Sequence, residues 1–333
     1  MRKPIPAKYI ALGCVLLIAS AGVLCCRMFV MPGQSHRGPL AALTANESRL
    51  AADLRADVVA LATDIGERNV SRPAELARAE QYLFDSLTRA GHEVRRQTYR
   101  VNSVECSNLE AELPGVSRRD EILIVGAHYD SAEGAAGAND NASGCAGVLA
   151  IGRALAGARL ARTVRLILFV NEEPPHFWTE DMGSLVYAKR CKARREQIVG
   201  MISLETIGCF SDKPGSQAYP PPLSYIYPPT GDFIGFVGNL GSAGFVRRVV
   251  EHFRTQCRFP SEGAALPSFV SEAGWSDHWS FWQQGYPALM VTDTAPFRNP
   301  HYHTPQDTPD KIDFDRMARV VAGVERVVRI LAD

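Results

Sequence analysis

Four stretches of this chain are short, continuous and apolar: EILIVG (121–126), TVRLILFV (163–170), VGMISL (199–204) and YPALMV (286–291). A strand with one wet face alternates polar and apolar residues. A run without that alternation has to be buried on both faces, which is the pattern of parallel strands inside an α/β sheet. Helical stretches separate the runs, at 142–160 and 182–196. Two more precede them, at 47–69 and 74–94, the second stopping at Gly91. VRRQTYRV (94–101) and CSNLEAELPG (106–115) do alternate, and read as edge or antiparallel strands. Residues 211–232, rich in Pro, Gly, Ser and Tyr, read as a long loop, and 313–333 as a closing amphipathic helix. Strands alternating with helices predict a three-layer α/β/α sandwich around a mixed, mostly parallel sheet.

The 333 residues carry no net charge and are 46% apolar. A sizeable core is therefore available, and nothing points to nucleic acid as a partner. The N-terminus stands apart. Arg2, Lys3 and Lys8 precede a run free of charge until Arg27. Basic residues before an apolar run of about 20 residues fit export. ASA at 19–21 resembles a cleavage site, so a cleaved signal and a retained anchor are both open. The expected division is a signal peptide or membrane anchor over 1–30, a linker over 31–48 and a catalytic domain over 49–333. Location in the cell envelope, periplasmic or extracellular, follows, with membrane contact if the segment is kept. The cysteines outside the N-terminal run form no CxxC pair, which excludes a zinc ribbon.

Chemistry gathers where the apolar runs end. The first ends in His128 and Asp130, the second in Glu172 and Glu173, the third in Glu205. Sites of open α/β sheets form at the carboxyl ends of strands. A buried sheet end has no use for so many acids unless a cation offsets them. His128 and Asp130, two apart on a strand, point to one side, which suits a ligand histidine oriented by a carboxylate. Adjacent Glu172 and Glu173 suggest a division of labour, one on a metal and one holding a proton. Asp140, inside GANDNASG (137–144), lies in a loop loosened by glycine and free to approach a metal. Nearer the C-terminus stand Asp277 and His278 in SDHWSFW, and His301, His303 and Asp307 in NPHYHTPQDT. His301 and His303 are expected to face opposite ways, so that only one is a ligand. Trp275, Trp279, Phe281 and Trp282 are expected to pack around a pocket wall or core.

Taken in order, VGAHYDS, GANDNASG, NEE, SLETIG, SDH and YHTPQDT resemble the co-catalytic zinc aminopeptidases, the family of bacterial leucyl aminopeptidase, glutamate carboxypeptidase and glutaminyl cyclase. The resemblance runs from about Leu50 to the C-terminus. It implies two zinc ions bridged by Asp140, with His128 and Glu205 on one and Glu173 and His303 on the other. It makes Glu172 the general base, Asp130 the support for His128, and Asp277 and His278 shapers of the substrate pocket. The position of Glu205 is usually Asp in the aminopeptidases, so a longer arm has to be accommodated. The implied activity is that of an exopeptidase, an aminopeptidase cleaving N-terminal residues from peptides by metal-activated water. The alternatives are a glutaminyl cyclase-like acyltransferase, which uses a single zinc, and a non-catalytic ectodomain of the same fold. HExxH is absent, and no serine stands in a nucleophile elbow.

Overall fold

The computed structural model describes Gly22 and residues 25–333. All but the end of the N-terminal run expected to direct export therefore lies outside the described residues. Among those described, no helix is long and apolar enough to cross a membrane.

The four continuous apolar runs are strands: β3 (Arg118–His128), β4 (Arg162–Phe169), β5 (Gln197–Glu205) and β8 (Ala288–Thr292). The two alternating segments are β1 (Val94–Val101) and β2 (Val104–Leu113), paired as an antiparallel hairpin. Two further strands, β6 (Ile234–Asn239) and β7 (Ser261–Leu266), complete one eight-stranded sheet of order β1-β2-β4-β3-β5-β8-β6-β7. The central block β4, β3, β5 and β8 is parallel throughout, while β2 and β6 join its two sides antiparallel.

Alternate residues of the central strands enter two different cores, which is why the runs are apolar at nearly every position. On one face Leu123, Val125, Leu166, Leu168, Ile202, Leu204, Leu289 and Val291 meet helices α1 (Ala45–Val59), α2 (Pro73–Arg89), α3 (Gly144–Leu155), α5 (Ala243–Gln256) and α7 (Phe314–Ala332). On the other, Ile122, Ile124, Ile167, Phe169 and Met201 meet α4 (Gly183–Ala193) and α6 (His278–Gln283) through Tyr187, Cys191 and Phe281. Each such aliphatic side chain contributes about 1.5–3 kcal/mol on burial. The charge in the middle of β4, Arg165, is buried only because Glu112 and Glu196 meet it at 2.7 and 2.6 Å.

On this second face α6 reaches β8 at Ala288; beyond it, over β6 and β7, the cover comes from loops and from Met28 and Phe29, which pack against Ala264 and Leu266, and a cavity remains there. The 31–48 segment, expected as a linker, is held against the fold. Met31 is buried, the Arg254 guanidinium donates to the carbonyls of Pro32 and Gly33, and the Ser261 N–H donates to Ser35 Oγ at 2.8 Å. Helix α1 also starts inside that segment, capped by a Thr44–Glu47 box. Among the described residues every cysteine is free.

The loop before α3 crosses β5 so closely that only glycine fits at position 144. A Cβ there would lie 2.3 Å from the Leu204 carbonyl oxygen and 2.4 Å from Asn141 Oδ1. Gly144→Ala is expected to cost about 1–3 kcal/mol of stability, the usual scale of overpacking. Urea denaturation of both proteins measures it, and an unchanged midpoint would contradict this packing.

Candidate metal centre

In the sheet order, β3 is flanked by β4, to which the chain crosses through α3, and by β5 on its other side. The connections diverge at that point and leave a crevice at the strand ends, where α/β sheets bind ligands. His128 ends β3, Glu205 ends β5, and Glu172 and Glu173 follow β4. Topology alone therefore brings three of the acid-bearing strand ends together.

The side chains form two clusters, His128 with Glu172 and Glu205, and Asp140 with Glu173 and His303. Asp140 touches both. Its Oδ1 is 3.3 Å from His128 Nε2, and its Oδ2 is 3.0 Å from His303 Nε2. Glu205 Oε2 lies 3.2 Å and Glu172 Oε2 3.9 Å from His128 Nε2, and Glu173 Oε2 lies 3.1 Å from His303 Nε2. His128 Nε2, Asp140 Oδ1 and Glu173 Oε1 are buried without a hydrogen-bond partner. Such atoms are costly in a folded protein unless something else fills their lone pairs. The Asp130 carbonyl lies 3.2 Å from His128 Nδ1, with carboxylate Oδ1 at 3.5 Å, and the carboxylate accepts the backbone N–H groups of Glu172 (3.2 Å) and Glu173 (3.0 Å). Asp130 thus orients the imidazole, chiefly through its backbone, and its carboxylate sets the turn that carries both glutamates.

The two asparagines around Asp140 are anchors. Asn141 donates to the Leu204 carbonyl at 2.9 Å and accepts the Thr206 and Gly144 N–H groups. Asn139 donates to Asp293 at 2.9 Å and accepts the Gly208 N–H. Asp307 accepts the backbone N–H of Asn139 and of Asp140. Arg68, fully buried, donates to the carbonyls of Tyr129, Gly66, Ala136 and Gly137, and so stitches the 129–137 loop to the segment after α1. Asp307 stood out in NPHYHTPQDT without a role, while Asn139, Asn141 and Arg68 were not singled out, because Asn and Gly in a loop read as a turn and a lone arginine reads as surface.

His303 reaches the centre from a turn, with a left-handed backbone (φ 55°) and its ring stacked on Tyr302 at 3.8 Å. His301 makes only backbone contacts, to Asn299 and Thr304. Asp277 and His278, expected to shape the substrate pocket, do not line the cavity beside the centre. His278 is wholly buried, hydrogen-bonded to the Ala273 carbonyl at 2.7 Å and packed edge-on against Trp282, so it belongs to the wall's interior. Asp277 is wholly buried too, and neither carboxylate oxygen has a hydrogen-bond partner. Of the aromatic set, Phe281 is core and Trp275 lines the cavity.

Comparison with known proteins agrees with this geometry. The profile of Peptidase family M28 matches residues 108–328. The chain belongs to peptidase family M28. This M28 chain is 35% identical over 273 residues to the uncharacterized protein YfbL of Escherichia coli (strain K12), covering 79% of this chain and 83% of that one. It is 29% identical over 240 residues to a probable leucine aminopeptidase of Arthroderma otae (strain ATCC MYA-4605 / CBS 113480), covering 67% of this chain but only 56% of that protein's length. Its fold matches that of BSAP, a zinc aminopeptidase from Bacillus subtilis, with a TM-score of 0.69 at 14% identity, over 85% of this chain and 95% of that one. Fimbriiglobus ruber glutaminyl cyclase shares the fold as well, at a TM-score of 0.58 and 18% identity, over 87% and 97% of the two chains.

Without a cation the M28 centre is electrostatically strained. Burial, with Asp140 adding, pushes Glu173 up to about 7, and burial pushes Asp277 up to about 7. Burial also raises Glu172, where the Glu205 and Glu173 charges add, and Glu205, where Asp140 adds. His303, despite its burial, is raised to about 10 by Asp140 and Glu173. All of these folded values lie above the ordinary ones. Each group therefore stabilises the metal-free protein at low pH and loses that contribution as pH rises through its folded value. For Glu173 and Asp277 the window runs from about 4 to 7. The metal-free protein should melt at a lower temperature at pH 8 than at pH 5, and zinc should raise the melting temperature more at pH 8. Melts in chelator and in zinc at both pH values test this. A zinc effect of equal size at pH 5 and pH 8 would refute it.

Proposed function

We propose that this chain is a zinc-dependent exopeptidase that acts as an aminopeptidase on peptides. The observation that carries the reading is the pair of side-chain clusters joined by the two oxygens of Asp140, with Glu172 beside them. The nitrogen and oxygen atoms gathered there are the donor set that zinc takes. Their unpartnered lone pairs and excess negative charge fit two ions better than one. His128 and Glu205 would hold one ion, Glu173 and His303 the other, and Asp140 both. When bound, zinc supplies a Lewis acid that polarises a carbonyl and acidifies water.

The protein's own groups do the rest. Asp130 fixes the His128 ring and, through two N–H bonds, the direction of Glu172 and Glu173. Glu172 lies in the first cluster, yet no hydrogen bond holds its carboxylate, so it is free to accept a proton and return it to a leaving amine. Burial raises its carboxyl above the ordinary range and so favours the proton-bearing form. A glutaminyl cyclase, with one zinc, would leave part of this ligand set without a purpose. The basic and then apolar N-terminus supports an exported enzyme, cleaved or anchored.

Glu172→Gln cannot accept the proton and should keep its metal while losing about 10²–10⁴-fold in peptidase rate. Glu173→Gln should lose metal affinity and regain part of its activity at high zinc. Metal analysis with rates across a zinc titration separates the two, and a metal-depleted Glu172→Gln beside a metal-replete, inactive Glu173→Gln would reverse the roles. His303→Ala should lose metal and His301→Ala keep it. Turnover of N-terminal glutaminyl peptides to cyclised product, without hydrolysis of aminoacyl-nitroanilides, would favour the cyclase. Recovery of the protein in the cytosol with Met1 at its start would overturn export.

A further inference from the structure

The metal centre and the cavity share one row of the sheet. Glu205 pairs with Thr292, Thr292 with Gly235, and Gly235 with Glu262. Residues paired across a sheet point to the same face. All four line the cavity, of about 110 Å³. Three strand spacings separate the ends of the row, roughly 14 Å between Cα atoms. Thr292 is small and Gly235 has no side chain, so the row is a trough with a glutamate at each end. The next row on that face, Met290, Val237 and Ala264, gives the trough an apolar floor. The 211–232 loop and the residue after it supply aromatic walls, Tyr219, Tyr227 and Phe233.

One end of the trough, Glu205, belongs to the metal centre. The other end has no assigned task. The Glu262 side chain is 29% exposed, and its nearest cation, Arg254 Nη2, lies 3.9 Å from Oε2. At that distance the two make no hydrogen bond, and four of the five Arg254 N–H groups donate elsewhere, to the carbonyls of Pro32, Gly33 and Ser261 and to Ser261 Oγ. Burial in this apolar wall raises the Glu262 carboxyl, and Arg254 and Arg37 draw it part of the way back down. Among the described residues, no lysine or arginine lines the cavity, while half-buried Glu272 adds a third acid at its wall. An apolar, aromatic-walled trough that ends in an unbonded carboxylate fits a guest with an aliphatic stem and a cationic tip.

Resting on the aminopeptidase reading, we propose that the cavity selects peptides whose N-terminal residue is lysine or arginine, with Glu262 as the group that determines the specificity. With the scissile carbonyl at the metal end, an extended basic side chain runs along the trough towards Glu262, and Glu262 reaches back to meet it. The tyrosine and phenylalanine rings pack on the stem and favour the cation. Norleucine, with a comparable stem and no charge, is the control.

The test uses the zinc-loaded full chain, wild type, Glu262→Gln and Glu262→Asp, with arginyl-, lysyl-, norleucyl- and leucyl-nitroanilides. Wild type should favour arginyl and lysyl over norleucyl substrates. In Glu262→Gln the ratio of arginyl to norleucyl kcat/KM should fall tenfold or more, chiefly through KM, because the contact is made in ground state and transition state alike. Glu262→Asp should restore part of it. A ratio unchanged by Glu262→Gln, or a wild type that prefers norleucine, overturns the proposal. Calorimetric binding of free L-arginine and L-norleucine to the same proteins separates the two readings. If no nitroanilide is hydrolysed but arginine binds tighter than norleucine in a Glu262-dependent way, the peptidase reading fails and the pocket stands. Hydrolysis without discrimination has the opposite meaning. Melting temperatures identify a variant that has lost its fold, and Glu262→Asp then carries the comparison.

Discussion

The carboxylates of Asp130, Asp140, Glu172, Glu173, Glu205 and Asp277 are all buried at one edge of the sheet, and the imidazoles of His128 and His303 are the cations among them. Burying a charge is costly unless it is paired and hydrogen-bonded. Asp130 satisfies that condition through two backbone N–H groups. Asp277 and one oxygen each of Asp140 and Glu173 do not. Burial, with the neighbouring acids adding, pushes Glu173 and Asp277 towards neutrality, and protonation would relieve the repulsion. Divalent cations relieve it while leaving every oxygen a ligand. Arg68 contributes positive charge from behind the loop, but its donors are spent on carbonyls, so it braces the site without neutralising any one acid.

Sheet topology explains how such a density of acids arises without a dedicated motif. Neighbouring parallel strands deliver their C-terminal residues to one edge, and the divergence at β3 opens a crevice there. The same register sets the distance from the centre to the cavity. β6 and β7 extend the sheet beyond β8, and their cavity face is covered mainly by loops, with Met28 and Phe29 packed at the β7 side. Chemistry is therefore built on the parallel block, and selectivity on its antiparallel extension. Loops over the extension can change without disturbing the metal ligands.

The parallel block was legible because burial on both faces leaves a simple signal, and its ends were legible because a buried strand has to terminate in something polar. Strands β6 and β7 were not. Gly235, Gly238 and Gly263 interrupt them, and one face meets a cavity, so neither alternation nor a continuous apolar run appears. Helix α5 between them does carry Phe245, Val246, Val249, Val250 and Phe253 at helical spacing and was open to detection. Asn139, Asn141, Asp307 and Arg68 act by hydrogen bonds to backbone groups remote in sequence, up to Asp307 binding residues 139 and 140, and no local pattern encodes such partners. Asp277 and His278 were placed at the pocket by resemblance alone; both side chains are wholly buried, and the His278 ring meets the Ala273 carbonyl inside the wall.

Glu205 shows how one substitution within a ligand set is absorbed. An arm longer by one methylene has extra rotamer freedom and would blur a ligand's position. Here the freedom is removed at the tip. Ser276 Oγ donates to Glu205 Oε2 at 2.8 Å, and Ser276 is itself within 3.0 Å of Ser203 Oγ on the same strand as Glu205. Asn141, already fixed by the Leu204 carbonyl and the Thr206 N–H, places its Nδ2 3.5 Å from the same oxygen. The carboxylate tip therefore stays 3.2 Å from His128 Nε2 although its stem is long. Ser276 thus belongs to the centre without being a ligand. It precedes Asp277 in the segment that carries the wall of the cavity, so its hydroxyl ties the metal centre to that wall.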